Sequence, residues 1–194
     1  EFYATAYRVS SHKWESVCIQ TRKNIRLIAR FACGMSRHPH SHQSGWLNSG
    51  RQSLRKAYLV ENQMVFTQLC DQAAHFHSPL ICTSGQLTIA VIRLLDLLVS
   101  SGTELFYSGD FDGKGLSIAQ QLLARYLDRL HLWHMTAADY AQCRSEVRLS
   151  EKSRALLRNC AGRFCSGSEA VGHSGCDGYQ ELLLSQLQAD LMET

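Results

Sequence analysis

From residue 57 onward, short apolar runs alternate with longer stretches in which apolar side chains recur at helical spacing. Apolar runs of three to five residues are typical of buried strands, and a 3.6-residue repeat is typical of amphipathic helices. The predicted strands are 57–60, 80–82, 104–107 and 131–135. The predicted helices between them are 65–73, capped by Asn62, then 87–100 and 116–126. This order predicts an α/β fold, with a parallel four-stranded sheet and helices on both faces.

The chain beyond the fourth strand has a helical pattern. Thr136 and Asp139 have the spacing of a capping box, so a helix is expected to begin there. A second helix is predicted over 150–158, a Gly/Ser-rich stretch spans 161–178, and a last amphipathic helix is predicted over 179–192. We therefore expect an α/β domain at 57–145 and a C-terminal helical extension at 146–194.

The first 56 residues have a weaker pattern and a different charge. We predict a short strand over 17–21, a short helix over 24–33 and a loop rich in His, Ser and Gly over 36–50. Residues 1–56 contain ten Lys/Arg and two acids, whereas residues 57–194 contain ten Lys/Arg and fifteen acids. A basic segment beside an acidic domain favours a polyanion partner such as nucleic acid, and the alternative is a solvated basic surface without a ligand.

Composition is that of a soluble globular protein, with 45% hydrophobic and 19% charged residues. The most apolar run, 87–99, contains Arg93 and Asp96 and is too short to span a membrane, and no signal peptide is visible. Eight scattered cysteines favour buried free thiols over a disulfide framework. We therefore expect a cytoplasmic protein that has no membrane partner.

The candidate chemistry lies where the predicted strands end. The carboxyl ends of parallel strands meet at one edge of a sheet, so Glu61 after the first strand should lie near Asp110 and Asp112 after the third. Carboxylates a few Å apart repel by about 4 kcal/mol, and a divalent cation removes that repulsion. Oxygen ligands favour Mg²⁺ or Mn²⁺, which can polarise a phosphoryl oxygen. Glu61 is expected to complete the metal shell or to activate water.

Other residues at this edge suggest a phosphate contact. Gly113, with its neighbours Gly109 and Gly115, is expected to let a phosphate approach the backbone, and Lys114 to pair with it. The helix from Leu116 would offer its amide N–H groups to the anion. Ser84, after the second strand, is a further candidate for substrate binding. The alternative is that the two aspartates are only turn and cap residues.

Several segments carry a resemblance to a known family. They are Val60-Glu61-Asn62, Leu80-Ile81-Cys82-Thr83-Ser84-Gly85-Gln86, Tyr107-Ser108-Gly109-Asp110-Phe111-Asp112, Gly115-Leu116-Ser117-Ile118-Ala119 and Met135-Thr136-Ala137-Ala138-Asp139-Tyr140. Their order is similar to the Toprim domain of topoisomerases, bacterial primases and nucleases. Taken together, these segments and Tyr179-Gln180-Glu181 near the end resemble the C-terminal Toprim domain of JetD, the nuclease subunit of Wadjet anti-plasmid systems.

The resemblance implies a Rossmann-like Toprim fold and metal-dependent cleavage of double-stranded DNA. It also implies a homodimer in the bacterial cytoplasm, an SMC-like motor complex as partner, and a longer N-terminal region than residues 1–56. Glu61, Asp110 and Asp112 match the family's acidic metal and catalytic positions, while Glu181 falls in a recurring motif without an assigned role. Gly113-Lys114 departs from the family, which often has a bulky residue there.

The rival interpretation is a non-catalytic Toprim-fold module for binding or dimerisation, docked to an SMC-like complex. Other candidate sites are weaker. A zinc site at Cys160, Cys165, His173 and Cys176 lacks a common spacing, and loop residues with free thiols are favoured. The alternating histidines 38, 40 and 42 favour a solvated loop over a metal site. Cys82 and Tyr107 are expected to be core residues, not nucleophiles.

Overall fold

The computed structural model describes residues 14–20, 26–32, 56–71, 78–159 and 166–192. The strands are β1 (Trp14–Gln20), β2 (Arg26–Ala32), β3 (Lys56–Val60), β4 (Leu80–Cys82), β5 (Glu104–Ser108), β6 (Leu130–Leu132), β7 (Arg144–Arg148) and β8 (Cys176–Gly178). The helices are α1 (Gln63–Asp71), α2 (Ile89–Ser100), α3 (Gly113–Tyr126), α4 (Ala137–Cys143), α5 (Glu151–Asn159), α6 (Ser166–Ser174) and α7 (Leu184–Met192). Single 3₁₀ turns cover Leu127–Arg129 and Gln180–Leu183.

The main sheet has six strands in the order β1-β2-β4-β3-β5-β6. Strands β4, β3, β5 and β6 are parallel, which confirms the predicted α/β fold with a parallel four-stranded sheet. The residues of β3 beyond Lys56 and all of β4 are buried, as expected for strands covered on both faces. β6 ends at Leu132, earlier than predicted, and His134 there has a positive φ of 51° that no straight strand accommodates.

Helices cover both faces of this sheet. α2 and α3 lie on the same face and contact each other. Arg125 of α3 forms an ion pair with Asp96 of α2 at 2.7 Å, and the Tyr126 hydroxyl donates to the Ile92 carbonyl. α1 contacts α7 instead. The crossover through α1 runs from β3 toward β4, in the direction opposite to the crossovers through α2 and α3. Right-handed connections in opposite directions place their helices on opposite faces.

The helix predicted over 24–33 is wrong, because this segment contains the strand β2. β2 pairs antiparallel with β1 and with β4, where Ala29 lies opposite Ile81. A short apolar run is ambiguous between helix and strand, and the open edge of β4 supplies backbone partners that a helix could not use. The strand predicted over 17–21 is confirmed as β1, which begins earlier, at Trp14.

The C-terminal part contains more regular structure than the sequence pattern indicated. The Gly/Ser-rich stretch 161–178 includes α6 and β8, and β8 pairs antiparallel with β7 in a second, two-stranded sheet. The helix predicted over 179–192 is divided into the Gln180–Leu183 turn and α7. By contrast, the helix predicted over 150–158 is confirmed as α5, and the predicted capping box of α4 is present at Thr136 and Asp139.

Among the described residues, no helix is both long enough and apolar enough to cross a membrane. Cys70, Cys82 and Cys143 are buried free thiols, as predicted. Tyr107 is fully buried in β5, which confirms its assignment to the core. The histidines 38, 40 and 42, and two of the candidate zinc ligands, Cys160 and Cys165, lie outside the described residues.

Candidate active site

Two carboxylates meet at the point where the strand connections diverge. Glu61 follows β3 and Asp110 follows β5, and these strands are neighbours although a crossover to β4 lies between them in the chain. Crevices at such points are where open α/β sheets bind ligands. A shallow cavity of about 250 Å³ opens here, and its walls are formed by Glu61, Asn62, Gln63, Ser84, Gly85, Asp110 and Lys114.

The Glu61 side chain is almost completely buried, with 5% of its surface exposed. One of its oxygens, Oε2, accepts a hydrogen bond of 3.3 Å from the backbone N–H of Asp110. Burial, followed by the negative charges of Asp110 and Asp112, raises the pKa of Glu61 to about 7. Ionisation of Glu61 therefore lowers the stability of the folded state.

Asp110 is in a similar environment. Its Oδ1 accepts a hydrogen bond of 2.8 Å from the backbone N–H of Gln180. Burial raises the pKa of Asp110 to about 6, with further contributions from the charges of Glu181 and Asp112, and the Gln180 hydrogen bond only partly offsets this rise. The two strand ends thus hold carboxylates whose negative charges are incompletely balanced by the protein.

Asp112 has a structural role in this conformation. It is the N-cap of α3, and its Oδ1 accepts hydrogen bonds from the backbone N–H groups of Lys114 at 2.9 Å and Gly115 at 2.7 Å. The alternative interpretation of this residue as a cap is therefore realised. The helix predicted to bind an anion from Leu116 begins earlier, at Gly113, and these two amides of its first turn are already satisfied by Asp112.

The glycines of this loop are required by contacts within the protein. A Cβ on Gly109 would lie 3.0 Å from Glu61 Oε2, and one on Gly115 would lie 2.7 Å from the same oxygen. A Cβ on Gly113 would overlap the backbone of Ser153 in α5. These glycines are therefore needed for packing within the protein, and their predicted role in the approach of a phosphate stays a prediction. The contact of Gly113 with substrate stays a prediction.

The two other predicted substrate residues lie on the cavity wall. Lys114 is exposed, and its Nζ lies so close to Gly85 that a Cβ there would overlap it. Ser84 is also exposed, has a positive φ of 49°, and has its Oγ 3.6 Å from Cys82 Sγ. Burial raises the pKa of the Cys82 thiol, as expected for a core cysteine. Lys114 is therefore a cation placed beside two carboxylates at the mouth of the cavity.

A turn from the far end of the chain completes the site. Asn62 Nδ2 donates to Glu181 Oε1 at 2.6 Å, and the Asn62 backbone N–H donates to Gln180 Oε1 at 3.3 Å. Glu181 Oε2 is buried and has no hydrogen-bond partner among the described residues. Sequence reasoning noted Glu181 without a role and missed Gln180. No local pattern could have placed them here, because 118 residues separate Gln180 from Asn62.

A family model described as "Protein of unknown function C-terminus (DUF2399)" matches residues 40–191. The chain belongs to the DUF2399 family. The match includes every residue of the cavity, from Glu61 to the Gln180–Glu181 turn. No curated protein matches the chain.

The carboxylates of this DUF2399 domain fit a divalent cation in chemistry but are not arranged as a ready-made centre. Among the described residues, no three His, Cys, Asp or Glu side chains are placed together to hold a metal ion. The donors are nonetheless carboxylate oxygens, which suit Mg²⁺. Burial and then the charge of Asp110 raise the pKa of Glu61, burial raises the pKa of Asp110, and Glu181 has a buried oxygen without a hydrogen-bond partner among the described residues. A cation would offset both, with Asp112 turned from its capping position.

Proposed function

We propose that this DUF2399 chain is a divalent-metal-dependent endonuclease of Toprim type that hydrolyses phosphodiester bonds in DNA. The observation that carries the proposal is the approach of the buried Glu61 carboxylate to the partly buried Asp110, whose backbone N–H it binds, at the divergence point of the sheet and beside an open cavity. An uncompensated carboxylate pair at a ligand-binding edge costs stability, and such a cost is typical of functional sites.

Each residue has a role in this proposal. Glu61, Asp110 and Asp112 would hold Mg²⁺ or Mn²⁺, which supplies stabilisation of negative charge on the phosphoryl and leaving oxygens. The Glu61 carboxylate is also within the cavity and can accept a proton from an attacking water. Lys114 and Ser84 lie on the wall and would bind the phosphate. Gln180, whose backbone N–H donates to Asp110, positions that carboxylate.

The choice of DNA rests on the resemblance to JetD. The segments that carry it surround the cavity, from Val60-Glu61-Asn62 to the Tyr179-Gln180-Glu181 turn. By that resemblance we further propose that the protein acts as a homodimer with an SMC-like motor complex, in the bacterial cytoplasm, in defence against plasmids. The proposal of a metal-dependent activity at Glu61 and Asp110 does not rest on these partners.

The decisive experiment is cleavage of supercoiled plasmid by the purified chain, with Mg²⁺ or Mn²⁺ and with EDTA. The matched variants are Asp110→Asn and Asp128→Asn, which remove one carboxylate each. Asp128 is exposed in the turn before β6, at the opposite edge of the sheet. We expect nicking or linearisation that needs metal, is lost in Asp110→Asn and is retained in Asp128→Asn. Equal cutting by both variants would refute the proposed site.

One observation favours a second candidate, a non-catalytic binding or dimerisation module. Asp112 caps α3, and the described residues contain no ready-made metal group. A module would need neither metal nor the Asp110 carboxylate. Titration calorimetry with Mg²⁺ and Mn²⁺ separates the candidates: heat of binding in the wild type that disappears in Asp110→Asn supports the enzyme. Absence of binding, together with an inert wild type in the plasmid assay, supports the module.

A further inference from the structure

A concentration of positive charge lies next to the acidic cavity. Residues 144–158, which we call the basic segment, comprise β7, a short connection and most of α5. The segment contains five of the ten Lys/Arg of residues 57–194 and only two acids, Glu146 and Glu151. Its basic residues are Arg144, Arg148, Lys152, Arg154 and Arg158. Because residues 57–194 as a whole are acidic, the basic segment differs in charge from the domain that carries it.

Core packing does not explain this segment. In β7, four of the five side chains are exposed, including Arg144 and Arg148. The pairing of β7 with β8 is irregular between Arg144 and Arg148, and the two arginines at the ends of this irregularity are both exposed. In α5, Lys152 and Arg158 are exposed, and none of the side chains described in this helix is fully buried. The segment therefore presents guanidinium and ammonium groups to solvent on both of its elements.

The strand half of the basic segment is joined to the loop between the two catalytic aspartates. β7 pairs with β8, with Arg144 opposite Gly178. Gly178 in turn exchanges two backbone hydrogen bonds with Phe111, at 2.8 and 3.1 Å. Phe111 is the residue between Asp110 and Asp112. Arg144 is thus two strand spacings, about 10 Å, from the aspartate loop.

The helix half is joined to the same loop at a second point. The backbone of Ser153 in α5 packs directly on Gly113, in the space that a Cβ would occupy. Gly113 follows Asp112 and precedes Lys114, which lies on the cavity wall. Lys152 and Arg154 flank Ser153 in the sequence. Two independent contacts therefore fix the basic segment beside the site, and the second of them is made by the residue next to Lys114.

We infer that the basic segment binds the phosphate backbone of DNA on one side of the bond to be cut. The inference rests on the proposed function in naming DNA as the polyanion. About 10 Å corresponds to roughly three base-pair steps of duplex, since phosphates of one strand are spaced about 3.4 Å along the axis. A backbone lying across Arg144 and Arg148 would therefore continue past Lys114 into the cavity. The contacts would be independent of sequence and sensitive to salt.

An acidic protein partner is the main competitor for this surface. Charge alone does not distinguish the two, because both ligands are polyanions. The backbone contacts of Phe111 and Gly113 favour DNA, since they attach the basic segment to the very loop whose carboxylates would act on a phosphodiester. A docking surface for a protein would gain nothing from this connection.

The test measures binding without cleavage. Fluorescence anisotropy of a labelled 30-base-pair duplex is recorded with the full chain in EDTA, at several salt concentrations. Arg148→Gln is compared with Arg129→Gln, which removes an exposed arginine before β6, at the opposite edge of the sheet. We expect Arg148→Gln to weaken binding roughly 3- to 10-fold and to lower the salt slope by about one. Arg129→Gln should change affinity less than about twofold.

The double variant Arg144→Gln/Arg148→Gln should weaken binding further, by roughly tenfold or more. Both positions are exposed, so the folded state is checked by thermal melting and should be retained. Equal affinities of Arg148→Gln and Arg129→Gln would overturn the inference, as would an absence of duplex binding by the wild type. A stronger effect on an acidic polypeptide than on the duplex would replace DNA by a protein ligand. Binding that requires Arg148, without any plasmid cleavage, would support the basic segment as a DNA-binding surface and count against the nuclease.

Discussion

Two groups of carboxylates lie at the same edge of this sheet, and their surroundings differ in how they affect the ionised form. At the cavity, Glu61 and Asp110 face each other, and their pKa values are raised to about 7 and about 6. After β6, the His134 ring lies between two other carboxylates. Its Nδ1 is 3.2 Å from Asp139 Oδ1, and its Nε2 is 3.0 Å from Asp190 Oδ2.

Asp139 shows what a fully satisfied carboxylate looks like in this fold. Burial acts to raise its pKa, but hydrogen bonds from the Thr136 hydroxyl and backbone N–H, and from His134, lower it on balance. Asp190 also accepts a hydrogen bond of 2.8 Å from Trp133 Nε1, which ties α7 to the end of the sheet. This second group, which we call the His134 cluster, contributes to the stability of the fold.

Under the proposed function, the contrast separates structural carboxylates from catalytic ones. Asp139 has hydrogen-bond donors that lower its pKa, so its ionised form stabilises the folded state. Glu61 and Asp110 instead depend on two backbone N–H groups and on the exposed Lys114. Natural domains rarely keep a destabilising pair of charges without a use for it. Substitutions in the two groups should therefore have opposite consequences for activity and for stability.

The largest expected effect is on cleavage. Glu61→Gln should lower the rate of plasmid cleavage by at least about 100-fold, because it removes both a metal donor and the base. Asp139→Asn should leave the rate of the folded protein within about twofold. Rates are measured from the loss of supercoiled plasmid with time. Glu104→Gln, at the opposite end of β5, is the matched control. A Glu61→Gln protein as active as this control would remove Glu61 from the mechanism.

Stability should respond in the reverse order. Asp139→Ala removes the partner of Thr136 and of His134, so we expect the free energy of unfolding to fall by about 2 kcal/mol. Urea unfolding followed by circular dichroism measures this change. The exposed substitution Asp128→Ala should cost less than about 0.5 kcal/mol. Equal losses in the two variants would show that the His134 cluster contributes no more than a solvated acid.

In EDTA at pH 8, Glu61→Gln should stabilise the protein by roughly 1 kcal/mol, because ionised Glu61 is buried beside Asp110. The sign follows from the raised pKa: the contribution of Glu61 to stability is present below its unfolded pKa and is lost as pH rises through about 7. Thermal melting gives the comparison, and Mg²⁺ should raise the midpoint of the wild type more than that of the variant. A destabilised Glu61→Gln protein would instead identify Glu61 as a structural residue.

The smallest effect is a pH dependence. Because the pKa of Asp139 is lowered in the folded state, its contribution is present above the unfolded pKa and is lost as pH falls through the folded value. The stability difference between wild type and Asp139→Asn should be smaller at pH 3 than at pH 5. The decrease should be less than about 1 kcal/mol and should occur below the ordinary Asp pKa near 4. Urea unfolding at each pH measures it, and an unchanged difference at pH 3 would contradict the assignment.

Much of the fold around the site could be predicted from local patterns. β4 was predicted with its observed bounds, and the helices α1, α2 and α3 overlap the predicted ones because their apolar stripes face the sheet. The approach of Glu61 to Asp110 also followed from the sequence. Carboxyl ends of parallel strands must share an edge, and the helix-linked order of the strands predicted a parallel sheet.

The failures have a common physical cause. β2 is a strand because β1 and the more distant β4 supply hydrogen-bond partners, and β8 is a strand because β7 does. Nothing within either segment records that partner. The same holds for Gln180, whose contacts with Asp110 and Asn62 span the chain. Asp112 is a different case: a carboxylate before a helix can bind a metal or cap the helix, and the choice depends on side-chain rotation alone.

The sequence by itself determined the α/β order of elements, the presence of acids after two strands, and family membership, because these follow from periodicity and from motifs within short segments. Only the tertiary structure decided which carboxylates have a raised pKa and which have hydrogen-bond donors that lower it. It also decided that the basic segment adjoins the aspartate loop. These properties depend on charges and donors brought together from positions up to about 120 residues apart. The energy of a carboxylate is set by its surroundings in space, and a linear pattern contains no information about those surroundings until the chain has folded.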